Sequence, residues 1–416
     1  MDMTVSPGPC SGSVTIPSSK SIVHRLLICA ALGKKPVSIS IYGLSKDILA
    51  TADCLNALGA EIEISENRLD VRPISTPAKD AVLPCGESGS TLRFLLPVIG
   101  ALRASGCFVM EGRLPERPMQ DYEALLTAHG MAIRREGKRL HCEGQLEEGI
   151  YMLPGNISSQ YFSGLLMALP LLPGNSDISV QGRLESADYI HLTEDALTEA
   201  GIIVHPHSGG WTVPGSQTPC LPSFLAAEGD WSNAAFFLCA GALSEEGIHV
   251  KGLNCYSHQG DRAILELLDA FGAEIREVPE ENRVFIRKKA CRPLEIDASS
   301  IPDLIPVLSV LSCAATGDTH ITNAARLRMK ESDRLTGTAN LITALGGSVE
   351  ENEDSLTIHG MGNLRGGTAD SLHDHRIAMS AAVAASICCD DVYVTGAECV
   401  EKSYPDFWDD WKECTP

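Results

Sequence analysis

An internal repeat of about 70 residues is the feature that most restricts the fold of this 416-residue chain. A glycine followed by an extended, alternating segment recurs at spacings of 71, 71, 71 and 74 residues. These positions are Gly59, Gly130, Gly201, Gly272 and Gly346. Each glycine suits the left-handed residue that ends a helix, and turn residues lie near the middle of each following segment. Each of these repeats is therefore predicted to contain a helix that ends at glycine and leads into a β-hairpin.

A second series of positions has the same period. Small or polar residues open strongly apolar segments at spacings of 68, 70, 73, 71 and 72 residues. These positions are Ser21, Gly89, Ser159, Ser232, Asp303 and His375. The segments are apolar nearly all round, which predicts helices buried inside a domain. Together the two series indicate six βαβαββ units in an α/β protein. The proline-rich segment 213–222 lies between the third and fourth units and predicts a linker between two domains of three units.

Composition excludes several classes of protein. Hydrophobic residues make up 44% of the chain, but no apolar run approaches the roughly 18 residues that cross a bilayer, so a globular protein without a membrane partner is expected. The first residues lack the features of a signal peptide, which favours the cytoplasm. The 15 cysteines include no C-x-x-C motif and lie mostly in apolar segments, as reduced core residues do. A net charge of −21 argues against nucleic acid as a partner.

The densest cluster of charged residues lies between Arg326 and Arg334, directly before a predicted helix over 335–345. Lys330 and Arg334 would then lie at a helix N-terminus, where free backbone N–H groups and the helix dipole favour anions. A solvated run of charges is the alternative interpretation of this stretch alone. The other helix openings favour an anion site, because they repeat the combination of cations, hydroxyls and glycine.

Two of these openings carry more polar groups than helix capping requires, and a third carries a glycine. Lys20 and Arg25 flank the start of an apolar helix that has no structural need of them, and Ser158, Ser159 and Gln160 stand where one cap would suffice. Gly89 would let a ligand approach the backbone closely.

Two further openings carry ionisable groups with more than one interpretation. Asp303 lies among apolar residues, either as a helix cap or as a base whose pKa is raised by burial. The run from His373 to Arg376 also contains potential metal ligands, but successive side chains point in different directions, so an anion site is favoured there over a metal.

Motifs along the whole chain resemble, in order, those of the 5-enolpyruvylshikimate-3-phosphate (EPSP) synthase family of enolpyruvyl transferases. They are Lys20-Ser21 with Arg25, Gly89 to Arg93, Glu116 to Pro118, Ser158 to Gln160, Asp303, Lys330 to Arg334, Asp374 to Arg376, and Lys402 to Asp406. The resemblance implies an inverse α/β barrel of two similar domains, each with three βαβαββ repeats. It implies that residues 14–223 form the first domain and that residues 1–13 and 224–416 form the second.

The resemblance also implies a reaction and its site. The 5-hydroxyl of shikimate 3-phosphate adds to C2 of phosphoenolpyruvate, and phosphate then leaves, with no metal or cofactor. The implied shikimate-phosphate contacts are Ser21, Arg25, Ser158, Ser159, Gln160, Ser186, Asp303 and Lys330. The implied phosphoenolpyruvate contacts are Lys20, Gly89, Arg117, Arg334, Arg376 and Lys402. Catalytic roles are expected for Lys20, Asp303, Glu331, His375 and Lys402, in a protein that acts as a monomer on these two small molecules.

Some residues depart from the family pattern, and two other functions stay open. Glu87, Ser90 and Phe94 stand where many members carry Asn, Thr and Pro, and Arg326 stands where some carry Asn. The UDP-N-acetylglucosamine enolpyruvyl transferases have the same fold, but they carry a loop cysteine where this chain has Gly112. A catalytically silent anion-binding protein is the alternative from another class.

Overall fold

The computed structural model describes residues 1–415, which form two compact units. The first unit is Ser19–Ala227, and the second unit joins Met1–Ser18 to the chain from Glu228 onward. The boundaries at 18/19 and 227/228 lie a few residues beyond the predicted 13/14 and 223/224. Strand pairing explains the difference, because the strand Gly12–Thr15 pairs with Ile248–Lys251, and the strand Phe224–Ala226 pairs with Val37–Ser40.

The helices alternate between strongly apolar and amphipathic ones along the chain. They are α1 Lys20–Ala31, α2 Lys46–Ala57, α3 Gly89–Ala101, α4 Gln120–Ala128, α5 Ser159–Ala168, α6 Asp188–Glu199, α7 Trp231–Leu243, α8 Ile264–Phe271, α9 Ile305–Ser312, α10 Arg334–Ala344, α11 His375–Ala385 and α12 Phe407–Cys414. The predicted period is confirmed, since an apolar helix opens each of the six repeats.

The strands are short and gather into small sheets. They are β1 Met3–Val5, β2 Gly12–Thr15, β3 Val37–Ser40, β4 Glu61–Ser65, β5 Arg68–Arg72, β6 Ala81–Gly86, β7 Gly106–Met110, β8 Met131–Glu136, β9 Arg139–Gly144, β10 Ile150–Pro154, β11 Ser176–Gln181, β12 His205–His207, β13 Gly210–Val213, β14 Phe224–Ala226, β15 Ile248–Lys251, β16 Glu274–Val278, β17 Arg283–Arg287, β18 Glu295–Asp297, β19 Thr316–Thr322, β20 Ser348–Glu351, β21 Leu356–Met361, β22 Gly367–Asp370 and β23 Val392–Thr395.

The sheets repeat one topology. In the order β6-β7-β9-β8, the strand before an apolar helix pairs in parallel with the strand after it, and the latter pairs antiparallel with the second strand of a hairpin. The orders β10-β11-β13-β12 and β18-β19-β21-β20 are equivalent. Two further sheets complete this pattern with a distant strand, β14 beside β3 and β2 beside β15. The sixth sheet has the order β1-β23-β22, so its third strand comes from the start of the chain.

The predicted glycine caps are present. Gly59, Gly130, Gly201, Gly272 and Gly346 have φ angles of 108°, 95°, 69°, 105° and 83°, all in the left-handed region that favours glycine. A hairpin follows each of them, as the turn residues predict. The apolar helices form the cores, with α3 against α5 and α1 in the first unit, and α7, α9 and α11 against one another in the second. Within residues 1–415, no helix is long and apolar enough to cross a membrane.

Candidate active site

Most of the predicted residues of the first unit lie where its buried helices begin. Lys20, Gly89 and Ser159 are the first residues of α1, α3 and α5, and Ser158 caps α5 by accepting a hydrogen bond from the backbone N–H of Gln160. These starts are also where backbone N–H groups have no partner within the helix. The first unit therefore presents three helix openings, each with a predicted ligand-binding residue.

An ion pair fixes the lysine at the first opening. Lys20 Nζ lies 3.1 Å from Oδ2 of Asp47, in the first turn of α2, and both side chains are largely buried. The carboxylate holds the ammonium group at the start of α1, in a position suited to meet an anion.

Gln160 joins the openings of α3 and α5. Its Oε1 accepts a hydrogen bond of 2.7 Å from Nη1 of Arg93, and its Nε2 donates one of 2.9 Å to Oγ of Ser90. The Arg93 guanidinium also lies 5.8 Å from the ring centre of Tyr161. The amide thereby orients an arginine that sequence reasoning left out of the site.

Gly89 lies against two guanidinium groups. A Cβ at this position would be 2.8 Å from Nη1 of Arg93 and 2.9 Å from Nη1 of Arg117, closer than side chains approach each other. Glycine at the first position of α3 is therefore what allows both arginines to lie over the helix N-terminus. Two cations above free N–H groups form a suitable site for a phosphate or a carboxylate.

Arg25 makes its hydrogen bonds to other residues of the first unit. Its Nε donates to Oγ1 of Thr193 at 2.7 Å, and its Nη atoms donate to the backbone oxygens of Ser21 at 2.5 Å and Tyr189 at 2.6 Å. The guanidinium lies 4.9 Å from the ring centre of Phe94. Burial lowers the pKa of Arg25 to about 10, so it stays cationic at neutral pH. It links α1 to α6, and a direct substrate contact by Arg25 stays a prediction.

Ser186 is the predicted residue with unusual backbone geometry. It is buried and has a φ of 53°, in the left-handed region that non-glycine residues rarely adopt. Strain of this kind costs on the order of 1 kcal/mol and is concentrated at ligand-binding positions. Ser21, by contrast, lies in the first turn of α1 with ordinary helical geometry and is half-buried.

Arg334 is the centre of the second unit's cluster. It is the first residue of α10, and its side chain is 1% exposed. Nε lies 2.7 Å from Oδ2 of Asp374, Nη1 lies 2.7 Å from Oδ1 of Asp303, and Nη2 lies 2.5 Å from Oε2 of Glu331. Burial opposes the charge of Arg334, but the three carboxylates outweigh it and raise the pKa of the guanidinium. A buried cation with three carboxylate partners is well fixed in place.

Asp303 is surrounded by cations and does not cap its helix. Its Oδ1 lies 3.3 Å from Nζ of Lys330, and its Oδ2 lies 3.1 Å from Nη2 of Arg376. Burial disfavours ionisation, but Arg376, Lys330 and Arg334 together hold the pKa of Asp303 well below its usual range. The expectation of a pKa raised by burial is therefore wrong. Helix α9 begins at Ile305 without a side-chain cap.

Two lysines complete the cluster. Burial lowers the pKa of Lys330 to about 8, although Asp303 favours its charged form. Lys402, at the end of the 3-10 helix Ala397–Lys402, lies 3.7 Å from Oε1 of Glu331. Glu331 therefore contacts a lysine with one oxygen and Arg334 with the other.

His375 and Arg376 are the first two residues of α11, and both are buried. The cap is Asp374, whose Oδ1 accepts a hydrogen bond of 3.0 Å from the backbone N–H of Arg376. Nδ1 of His375 lies 3.9 Å from the same oxygen. Among residues 1–415 no group of three His, Cys, Asp or Glu side chains is arranged to hold a metal ion.

Sequence reasoning missed three residues with a clear place in these clusters. Asp47 orients Lys20, Arg93 lies over Gly89, and Asp374 holds Arg334. Arg93 and Asp374 stand inside the quoted motifs, so their charge at a helix opening was an available signal. No sequence signal marked Asp47, because only the packing of α2 on α1 brings it to Lys20.

Two enolpyruvyl transferases of known structure share the fold of this chain. The EPSP synthase of Acinetobacter baumannii has the same fold, with a TM-score of 0.81 and 24% identity over 100% of this chain and 98% of that one. The enolpyruvyl transferase NikO of Streptomyces tendae has a TM-score of 0.80 and 18% identity over 99% and 97% of the two chains.

Sequence similarity identifies the family of this chain. The model of the family described as EPSP synthase (3-phosphoshikimate 1-carboxyvinyltransferase) matches residues 5–411. The 3-phosphoshikimate 1-carboxyvinyltransferases of Clostridium kluyveri and Clostridium acetobutylicum are each 41% identical, over 99% and 97% of this chain and 96% of each relative. The chain belongs to the EPSP synthase family.

Proposed function

We propose that the two clusters bind the substrates of the family's reaction, in which the enolpyruvyl group of phosphoenolpyruvate passes to the 5-hydroxyl of shikimate 3-phosphate. These substrates carry two phosphates and two carboxylates, so they require several fixed cations. The observation that carries the proposal is the environment of Asp303, an ionised carboxylate enclosed by Arg334, Arg376 and Lys330. Ion pairs with Asp303 hold those cations in place, which reduces the cost of organising the site.

The proposed contacts divide by substrate. Shikimate 3-phosphate binds Ser21, Arg25, Ser158, Ser159, Gln160, Ser186, Asp303 and Lys330. Phosphoenolpyruvate binds Lys20, Gly89, Arg117, Arg334, Arg376 and Lys402. The close approach of Arg117 to Gly89 supports the second set, because a guanidinium above a helix N-terminus favours an anion.

Asp303 and Glu331 are the proposed proton carriers. The addition forms a bond between the 5-oxygen and C2 while C3 gains a proton, and the elimination removes a proton from C3 as phosphate departs. An ionised Asp303 is suited to accept the hydroxyl proton, and its proton affinity rises when substrate anions share its cations. Glu331 lies between Arg334 and Lys402, where it is positioned to exchange a proton with C3. Lys20, His375 and Lys402 are the other residues for which we propose catalytic roles.

The proposal extends to assembly and location. The enzyme acts as a monomer in the cytoplasm, where its thiols stay reduced. The absence of any disulfide among the cysteines of residues 1–415 supports that location.

The test is an assay of phosphate release from phosphoenolpyruvate with alternative acceptors. Release that depends on shikimate 3-phosphate and is absent with UDP-N-acetylglucosamine is the expected result. Release with the nucleotide sugar alone would identify the related transferase instead. No release with either acceptor, from protein that binds both ligands, would identify a silent anion-binding protein.

A further inference from the structure

Asp261 is a buried carboxyl group that the predicted site does not include. It lies in the 3-10 helix Gly260–Ala263, directly before α8, and is 4% exposed. Its Oδ2 accepts a hydrogen bond from Oγ of Ser232, in the first turn of α7. Its Oδ1 is buried and has no hydrogen-bond partner among the described residues. A buried polar atom without a partner is uncommon and points to a functional cause.

The segment that carries Asp261 is fixed to the start of α7. The side chain of Gln259 accepts a hydrogen bond of 3.2 Å from the backbone N–H of Trp231. It also donates to the backbone oxygen of Gly229 at 2.9 Å and to Oε1 of Glu228 at 2.8 Å. Asp261 is therefore held inside the protein by bonds on the residue two positions before it.

Two of the groups that act on Asp261, Asp303 and Arg376, belong to the cluster around Arg334. Burial raises the pKa of Asp261 to about 7, and Asp303 and Asp230 act in the same direction. Arg376 and the hydrogen bond from Ser232 oppose the rise. These groups lie at the openings of α9, α7 and α11.

We propose that Asp261 is a positioning residue for phosphoenolpyruvate, whose loss or gain of a proton changes how strongly Arg376 attracts an anion. The inference rests on the proposed contact between Arg376 and phosphoenolpyruvate. When Asp261 is neutral, Asp303 is the carboxylate that Arg376 contacts at 3.1 Å. When Asp261 ionises, a second negative charge lies in the same buried region and weakens the field that the substrate meets.

The direction of the pH effect follows from this arrangement. Asp261 is protonated below pH 7 and ionised above it, so the KM for phosphoenolpyruvate rises through this pH range. Asp261→Asn keeps an oxygen for Ser232 but stays neutral at every pH. We expect the ratio of the wild-type KM to the variant KM to rise from about 1 at pH 6 to about 5 at pH 8. The ratio cancels the effect of the substrate's own titration, because that effect is the same for both proteins.

Two further variants separate this effect from a structural one. Ser232→Ala removes the hydrogen bond that favours ionised Asp261. The KM of this variant for phosphoenolpyruvate should therefore rise at a higher pH than the KM of wild type. Asp269→Asn changes an exposed carboxylate on α8, the helix that follows Asp261, and should follow wild type throughout. A purely structural role for Asp261 would change the KM ratio equally at pH 6 and pH 8, which would overturn the proposal.

Thermal unfolding gives a readout independent of activity. The folded pKa of Asp261 lies above the unfolded value near 4, so wild type loses stability as pH rises from 4 to 7. The Tm advantage of Asp261→Asn over wild type should therefore be larger at pH 7.5 than at pH 5.5. A pH-independent difference, or a flat KM ratio despite this Tm pattern, would overturn the inference.

Arg376→Lys tests the proposed contact between Arg376 and phosphoenolpyruvate separately from the role of Asp261. An unchanged KM for phosphoenolpyruvate in Arg376→Lys would refute the proposed contact. A raised KM in Arg376→Lys, together with a flat ratio for Asp261→Asn, would refute only the role of Asp261.

Discussion

Arg334 binds Asp303 through Nη1 and Asp374 through Nε, each at 2.7 Å. One side chain on α10 therefore connects a carboxylate before α9 to the cap of α11. Because Arg334 and Asp374 are buried and fixed against each other, the position of the proposed proton acceptor depends on an aspartate that has no predicted contact with substrate.

Asp374→Ala should lower the free energy of unfolding by about 3 kcal/mol, the lower end of the loss expected for breaking a buried ion pair, because Arg334 keeps Asp303 and Glu331. The variant also loses the α11 cap, since Oδ1 of Asp374 accepts from the backbone of Arg376. Urea unfolding measures the change. Asp409→Ala, at an exposed pair with Lys412, serves as the control, with a loss below about 0.5 kcal/mol. Equal losses in both variants would contradict the role given to Asp374.

Lys330 should make the binding of shikimate 3-phosphate weaken at alkaline pH. Its pKa of about 8 means that it is charged at pH 7 and mostly neutral at pH 9. Affinity measured by calorimetry should fall by about tenfold between these pH values, since one cation is lost. Lys330→Arg stays charged and should show a much flatter dependence. The same steep fall in both proteins would show that another group titrates.

Gly89→Ala should weaken glyphosate, an inhibitor of EPSP synthases, more than phosphoenolpyruvate. The added methyl group would push against Arg93 and Arg117, and the longer inhibitor has less room to adjust. A difference of about 1 to 3 kcal/mol between the two ligands is expected from overpacking a fitted site. Inhibition curves at matched phosphoenolpyruvate concentrations measure it.

Gly8→Ala is the control for that experiment, because a Cβ there meets nothing within 4 Å. It should leave both affinities unchanged. If Gly89→Ala shifts inhibitor and substrate by the same factor, then Gly89 does not discriminate between them.

The repeat made most of the fold predictable. Gly59 and Gly272 could be assigned to helix ends because a left-handed backbone strongly favours glycine, and the local sequence carries that preference. The pairing of β2 with β15 could not be predicted from periodicity, because nothing local distinguishes a strand that joins its own repeat from one that joins a distant repeat.

The candidate site was predictable where charge stands at a helix opening. Lys330, Glu331 and Arg334 form one dense motif, and the structure brings them together with Asp303. Asp261 was missed because a single aspartate before an amphipathic helix is ordinary in sequence. Its burial beside Ser232 of α7 depends on packing between segments that are distant in sequence.

Glu331→Gln tests the central claim most directly, because it removes a proton carrier and keeps the shape of the side chain. Calorimetry and single-turnover kinetics on the same protein would measure the binding of shikimate 3-phosphate and the formation of product, with Glu353→Gln as an exposed control. Binding within a few-fold of wild type and turnover reduced by about 100-fold or more are the predicted results. Turnover within a few-fold of wild type would contradict the role of Glu331 in proton transfer.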